Sequence, residues 1–219
     1  MALSQAIEDY IKAIYILGVD TEGGVSTTKI AEALDVSSAS VTNMIKKLAK
    51  MGLVRYESYY GAELTDSGKK IALEIIRHHR LLELYLKEVM GYSWDEVHDE
   101  AEKLEHHISE QFEDKIAELL NNPTHDPHGD PIPSKDGVMP EIANEPLTEA
   151  EIGEQVMLGR VANQDPELLR YLEEIGLIPG IVLEVVKKAP FNGPITIKIE
   201  DEELVVGYEI AVNLFTIEP

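Results

Sequence analysis

Cysteine is absent from this chain of 219 residues, which excludes disulfides, thiolate nucleophiles and thiolate metal ligands. Any metal must therefore be held by nitrogen and oxygen, a donor set that disfavours a structural zinc site. Long apolar runs are also missing. No stretch reaches the roughly 18 apolar residues of a membrane span, so none is expected. The opening Met1-Ala2-Leu3-Ser4-Gln5 lacks the basic region and apolar core of a secretory leader. With no cysteine either, the chain fits a cytoplasmic protein. Positive charge is scarce: 19 Lys and Arg against 41 Asp and Glu give a net charge of −22. Such a balance ordinarily argues against nucleic-acid binding.

The imbalance is uneven. Residues 1–73 carry eight basic and nine acidic side chains, while the other 146 carry 11 and 32. A nearly neutral N-terminal third joined to a strongly acidic remainder implies modules with different partners. In the neutral part, Ile7, Tyr10, Ile11, Ile14 and Leu17 recur at helical spacing after Ser4. Ser26 caps a second short helix, Thr27 to Leu34. After the turn Asp35-Val36-Ser37 a third runs from Ser38 to Lys50, with Gly52 placed to end it. Two short helices joined by such a turn are a helix-turn-helix signature. The runs Leu53 to Glu57 and Ala62 to Leu64 then read as a hairpin, or wing, around Tyr60-Gly61.

The outward face of the third helix offers Ser38, Ser40, Thr42, Asn43, Lys46, Lys47 and Lys50. Small polar side chains near a helix start read base edges, and trailing lysines meet phosphates. The competing reading is a three-helix structural or protein-binding unit. Three lysines on one face of so acidic a chain favour DNA.

The next helix is expected from Thr65 to about Met90. Ser93 and Glu96 read as a capping box for another, continuing through Leu104, Ile108, Phe112, Ile116 and Leu119. On it, His98, Glu102, Glu105 and His106 share one stripe at i, i+4, i+7 and i+8. Carboxylates stacked on one stripe repel unless a cation lies between them. Imidazole with carboxylate suits manganese, iron, nickel or zinc. The preceding helix offers His79 and Glu83, again at i, i+4. The plainer reading is a solvated acidic face, but two helices with the same His/Glu pattern favour metal. Their wide apolar stripes would pack on each other and on a second copy.

Residues 121–147 hold six of the eleven prolines, and His125, Asp126, His128 and Asp130 there read as tail and linker rather than as ligands. From Ile152 the pattern turns to β-like runs: Gln155 to Val161, Ile181 to Lys187, Ile195 to Glu200, Leu204 to Val206 and Asn213 to Ile217. One short helix, Asp165-Pro166 to Ile175, interrupts them. The fold class is mainly α with a small β part. It comprises a winged helix-turn-helix (1–73), a helical metal-binding and dimerisation domain (74–140), a linker (141–150) and an SH3-like barrel (151–219).

Glu8-Asp9-Tyr10, Ser37 to Asn43, His79-Arg80-Leu81-Leu82-Glu83 and above all Val97 to His107, in this order, resemble the diphtheria toxin repressor family of metal-dependent transcriptional regulators. The barrel, with Glu174 to Gly180 and Pro190 to Pro194, looks like the SH3-like domain of ferrous iron transport protein A. The resemblance implies a homodimeric repressor that grips double-stranded operator DNA only when loaded with divalent metal. It maps a primary site onto Asp9, Glu102, Glu105 and His106, and a second onto His79, Glu83 and His98. Operator contacts map onto Ser37, Ala39, Ser40, Thr42 and Asn43, with Lys46 and Lys47 added from the exposed face. Iron-responsive members carry Met in place of Asp9 and Cys in place of Glu102, whereas manganese-responsive members carry the pair seen here. Hard oxygen in place of soft sulfur points to manganese(II), with iron(II) the alternative.

Lys12 stands where manganese-type members without the barrel have a carboxylate. The barrel's own ligand positions fall by register on Arg160 and Asn163. Arginine cannot ligate, leaving Gln164, Asp165 or Glu167 as substitutes. From other classes, a di-metal carboxylate enzyme would want a Glu-x-x-His pair on each of two helices, which is not found. A metal buffer would leave the helix-turn-helix idle.

Overall fold

The computed structural model describes residues 3–219 apart from 20, 22, 58 and 59, so Met1 and Ala2 of the leader reading lie outside the described residues. Two units emerge. The first comprises residues 1–79, 104–109 and 133–138, the second 80–103, 110–132 and 139–219.

The first unit begins with α1 (Gln5–Val19), where Ile7, Tyr10, Ile11 and Ile14 form the buried stripe. The α2 helix (Thr27–Ala33) starts at Ser26, whose Oγ accepts from the Lys29 amide. The α3 helix (Ser38–Lys50) starts likewise at Ser37, which accepts from the Ser40 amide at 3.2 Å. These caps satisfy orphan donors and fix where each helix begins. Val41, Ile45 and Leu48 of α3 lock against α1 in one core with Ile30, Val54 and Leu64. Truncating such a residue to alanine costs about 2–5 kcal/mol.

Gly52 (φ +74°) follows α3, as the sequence indicates. The wing is β1 (Val54–Glu57) paired antiparallel with β2 (Gly61–Leu64), Val54 opposite Leu64 and Glu57 opposite Gly61. Val25 bridges to Ala62 and carries the loop before α2 against the wing. Gly61 is obligatory there: at φ +98° an added Cβ would lie 2.5 Å from the Gly24 carbonyl oxygen. Thr65 then caps α4 (Asp66–Tyr85) through Oγ1 to the Gly68 amide.

In the second unit α4 widens at its exit into a π-helical turn, Leu86–Met90, and stops at Gly91 in the left-handed region. The expected single helix across the His/Glu stripe is two helices, α5 (Val97–Leu104) and α6 (Glu110–Leu119). Ser93 and Glu96 do pair, side chain to side chain at 2.7 Å, but α5 begins only after them. The reason is Trp94, which is drawn out of the helix into the barrel core.

The proline-rich stretch is not a tail. His128 is fully buried, and Asp126 and Ile132 nearly so. Its Gly129 (φ +87°) packs so tightly that a Cβ would meet the Gly159 carbonyl oxygen at 2.0 Å. Val161 donates its amide to the His128 carbonyl at 2.8 Å.

The barrel comprises β3 (Glu145–Pro146), β4 (Gln155–Val161), α7 (Pro166–Glu174), β5 (Val182–Lys188), β6 (Ile195–Ile199), β7 (Glu202–Val206), α8 (Tyr208–Ala211) and β8 (Leu214–Ile217). Its strands lie in the order β3-β8-β4-β5-β6-β7, each neighbouring pair antiparallel. Bulges between Leu158 and Arg160 and between Val185 and Lys187 bend the sheet. Residues 141–150, expected as linker, contribute β3 and two core side chains, Leu147 and Ala150. Alternation of buried and exposed residues on β4 to β6 gives the core its Leu158, Val185 and Ile197.

Candidate metal centre and nucleic-acid interface

The break between α5 and α6 has a cause 27 residues away in the chain. The Glu105 carbonyl, which a continuing helix would use, accepts instead from the His78 ring Nδ1 at 3.1 Å. Glu105 is 1% exposed, and its carboxylate turns inward. His79 Nδ1–H donates to its Oε2 at 2.5 Å, and Lys12 Nζ donates to both oxygens at 2.9 and 2.7 Å. A buried carboxylate needs such compensation, since an unpaired one would cost several kcal/mol.

The neighbouring His106 projects toward α1. Its Nδ1–H donates to Glu8 Oε2 at 2.6 Å. Its Nε2 is buried and makes no hydrogen bond, yet lies 2.9 Å from Asp9 Oδ1 and 3.3 Å from Glu105 Oε1. Asp9, Glu105 and His106 thus present one nitrogen and two oxygens within 4.8 Å of one another. This donor set suits a hard or borderline divalent ion, and an imidazole lone pair aimed between two carboxylates is otherwise unfavourable. Glu102, the fourth residue mapped to this site, stands on the last turn of α5.

Of the residues mapped to the second site, His79 donates its Nδ1–H to Glu105 as described, and His98 Nδ1–H donates to Glu83 Oε1 at 3.2 Å. There a further cluster forms from Glu83, Asp126 and His128, all buried, with donor atoms within 4.8 Å of one another. His128 Nε2–H donates to the Trp94 carbonyl, which leaves Nδ1 as the lone-pair nitrogen. That Nδ1 is buried without a hydrogen-bond partner, 4.0 Å from Glu83 Oε2.

Burial lowers the His128 pKa, against the pull of Glu83. Burial, then Glu83 and Asp130, raises that of Asp126 well above the carboxylate norm, with Arg80 opposing. Two acidic groups crowded beside a neutral imidazole are an environment that a cation relieves. Asp126 and His128, expected within tail and linker, are instead buried. Asp126-Pro127-His128 in a glycine- and proline-rich loop gave no periodicity from which burial could be read.

The barrel positions indicated by register are engaged elsewhere. Arg160 pairs with Asp130 at 3.5 Å and lies over the Phe215 ring at 4.3 Å. Asn163 accepts from the Asp165 amide, and Gln164 donates to Asp130. Asp165 caps α7 by accepting from the Glu167 and Leu168 amides, Glu167 serving there through its backbone.

At the start and on the outward face of α3, Ser37, Ala39, Ser40, Asn43, Lys46 and Lys47 are exposed, and Thr42 is half-buried. Ser37 and Ser40 share a hydroxyl contact at 2.9 Å, and Thr42 donates to the Ser38 carbonyl at 2.9 Å. Ser37 therefore serves first as a helix cap. Asn43 and the two lysines project from the next turns of α3.

Comparison with known proteins agrees with this layout. Residues 2–62 match the iron dependent repressor N-terminal DNA binding domain, 65–134 its metal binding and dimerisation domain, and 145–216 the FeoA domain. The chain is 35% identical to the iron-dependent repressor IdeR of Mycobacterium tuberculosis, over 95% of each chain. It is 42% identical to the HTH-type transcriptional regulator MntR of Oceanobacillus iheyensis, over 53% of this chain and 78% of that one. Among solved structures, a manganese-dependent transcriptional repressor in complex with manganese superposes with a TM-score of 0.86 at 36% identity, covering 97% of this chain and 100% of that one. ScaR with bound Zn2+ gives 0.77 at 33% identity, over 97% and 99%. None of the helices is long and apolar enough to cross a membrane among the described residues. The chain belongs to the iron-dependent repressor family, metal-dependent DNA-binding transcriptional repressors rather than enzymes, and carries a C-terminal FeoA domain.

Proposed function

We propose that this protein is a manganese(II)-responsive repressor of metal-uptake and homeostasis genes, with iron(II) the alternative effector, acting in the cytoplasm as a homodimer on operator DNA. The observation that carries this reading is the His106 Nε2 lone pair, buried between Asp9 and Glu105 with no hydrogen bond. All three donors are nitrogen or oxygen, the choice that favours manganese over softer-binding ions. Glu102 adds a further carboxylate, as the family resemblance implies. Lys12 already charges the far side of Glu105, which supports one ion there rather than a close pair. Glu83, Asp126 and His128, with His98 on Glu83, form a second ligand set.

The bound ion supplies positive charge that lets these carboxylates approach. The chain's residues do the rest. Asp9 lies on α1, whose buried face packs against α3, and Glu105 and His106 lie in the break after α5. Drawing the three together fixes α1, and through it the recognition helix, in one arrangement. The arrangement in which Asp9, Glu105 and His106 converge would hold a divalent ion better than any other, and a coupling of about 1–3 kcal/mol would change operator affinity 5–150-fold. In a dimer two such helices meet successive major grooves roughly 34 Å apart.

Fluorescence anisotropy on upstream DNA with manganese, iron(II) and zinc, each against a chelator, tests the reading. The wild-type protein should bind only with metal, and best with manganese. His106→Ala should lose the metal response while keeping its circular dichroism spectrum. Equal operator binding after complete chelation would overturn the proposal.

A further inference from the structure

His106 sits between two carboxylates of the same helix. Glu8 Oε2 lies 2.6 Å from Nδ1, and Asp9 Oδ1 lies 2.9 Å from Nε2. A neutral imidazole has one ring proton, and only one of its nitrogens can keep a lone pair. The contact to Glu8 is a hydrogen bond, whereas Nε2 makes none. The ring itself is nearly sealed, its side chain 2% exposed against 19% for Glu8. Glu8 therefore decides which nitrogen faces the metal donors, although it adds no ligand atom to the Asp9, Glu105 and His106 set.

We propose that Glu8 is a positioning residue for metal binding, one that holds the His106 proton on Nδ1 and leaves Nε2 open toward Asp9 and Glu105. The proposal rests on the metal reading of those three residues. Without Glu8 the proton has a ready acceptor on the other side, the Asp9 carboxylate. Nε2–H would then donate to Asp9 and occupy the lone pair that a metal needs. Adjacent positions on one turn of α1 thus do opposite work: Asp9 attracts the metal and Glu8 keeps the proton out of its way. Partners that orient a ligating histidine through its other nitrogen typically change metal affinity about 10–100-fold when removed.

The test uses full-length protein labelled with nitrogen-15 at histidine, compared as wild type, Glu8→Ala and Glu8→Gln. In chelator, the wild-type His106 should resonate as the Nδ1–H tautomer and Glu8→Ala as Nε2–H. Manganese titration followed by electron paramagnetic resonance should show Glu8→Ala binding about 10–100-fold more weakly. Glu8→Gln, whose amide oxygen still accepts from Nδ1–H, should retain most of both properties. Should the alanine variant fail to fold, Glu8→Leu, which also lacks an acceptor for Nδ1–H, takes its place; an Nε2–H tautomer in the wild type, or an unchanged affinity in folded Glu8→Ala or Glu8→Leu, overturns the proposal. Weaker binding with an unchanged tautomer also overturns it, showing a charge effect instead. A wild type with the Nδ1–H tautomer that binds no manganese would instead sink the metal reading itself.

Discussion

His128 lies face to face with Trp94, ring centroids 5.5 Å apart and 17° from parallel, while its Nε2–H donates to the carbonyl of that same residue. Indole and peptide together fix the imidazole, and Nδ1 is left facing Glu83. Trp94 is the sole tryptophan of the chain. Its fluorescence should therefore report occupancy of the Glu83, Asp126 and His128 cluster. Manganese should quench it by well over half at saturation. In His128→Ala the quenching should be lost, whereas His106→Ala should preserve it. Equal quenching in wild type and His128→Ala would remove His128 from the ligands.

Asp126 gives a prediction about acidity. Its pKa is raised, chiefly by burial and then by Glu83 and Asp130, so the folded chain holds that proton more tightly than the unfolded one. The associated stability is complete below the unfolded-state value and is lost as pH rises through the folded-state value. Asp126→Asn mimics the protonated form, and its side-chain oxygen can still accept from the His128 and Asp130 amides. In chelator it should resist urea better than wild type at neutral pH, by about 1 kcal/mol. The advantage should shrink as pH falls through the Asp126 folded-state value. With manganese present the order should reverse, because the variant has lost a ligand oxygen. A constant advantage at every pH would show that titration of Asp126 is not its source.

Asn43 and the lysines beyond it separate reading from gripping. Asn43→Ala should cost about 1–3 kcal/mol on the operator and little on random DNA, with the salt slope nearly unchanged. Lys46→Ala should weaken both DNAs and lower that slope by about one. Competition anisotropy at several salt concentrations measures both quantities. A uniform loss in the asparagine variant would make it a backbone-positioning residue.

Much of this was legible in the chain itself. Ser26, Ser37 and Gly52 punctuate α2 and α3 so clearly that α3 spans Ser38–Lys50 as expected. The barrel strands announce themselves by alternation, and Asp165-Pro166 marks the start of α7. What stayed hidden depended on long-range contacts. The stripe from His98 to His106 has helical spacing, but a ring 27 residues away takes the carbonyl of Glu105 and ends the helix there. Glu8 belongs to the Glu8-Asp9-Tyr10 run that carries the family resemblance, but its own role is not legible there because its partner lies 98 positions onward. Asp126 and His128 lie in a loop, where no period distinguishes a sealed side chain from a wet one.

The insertion of Trp94 among Leu158, Leu177 and Leu214 has a practical consequence for dissecting the protein. A chain cut short before β3 would leave a large indole bare to solvent, and the imidazole stacked on it would lose its orienting platform. The FeoA module is thus a supporting wall for the dimerisation segment, and amputating it should make the remainder sticky and prone to aggregate.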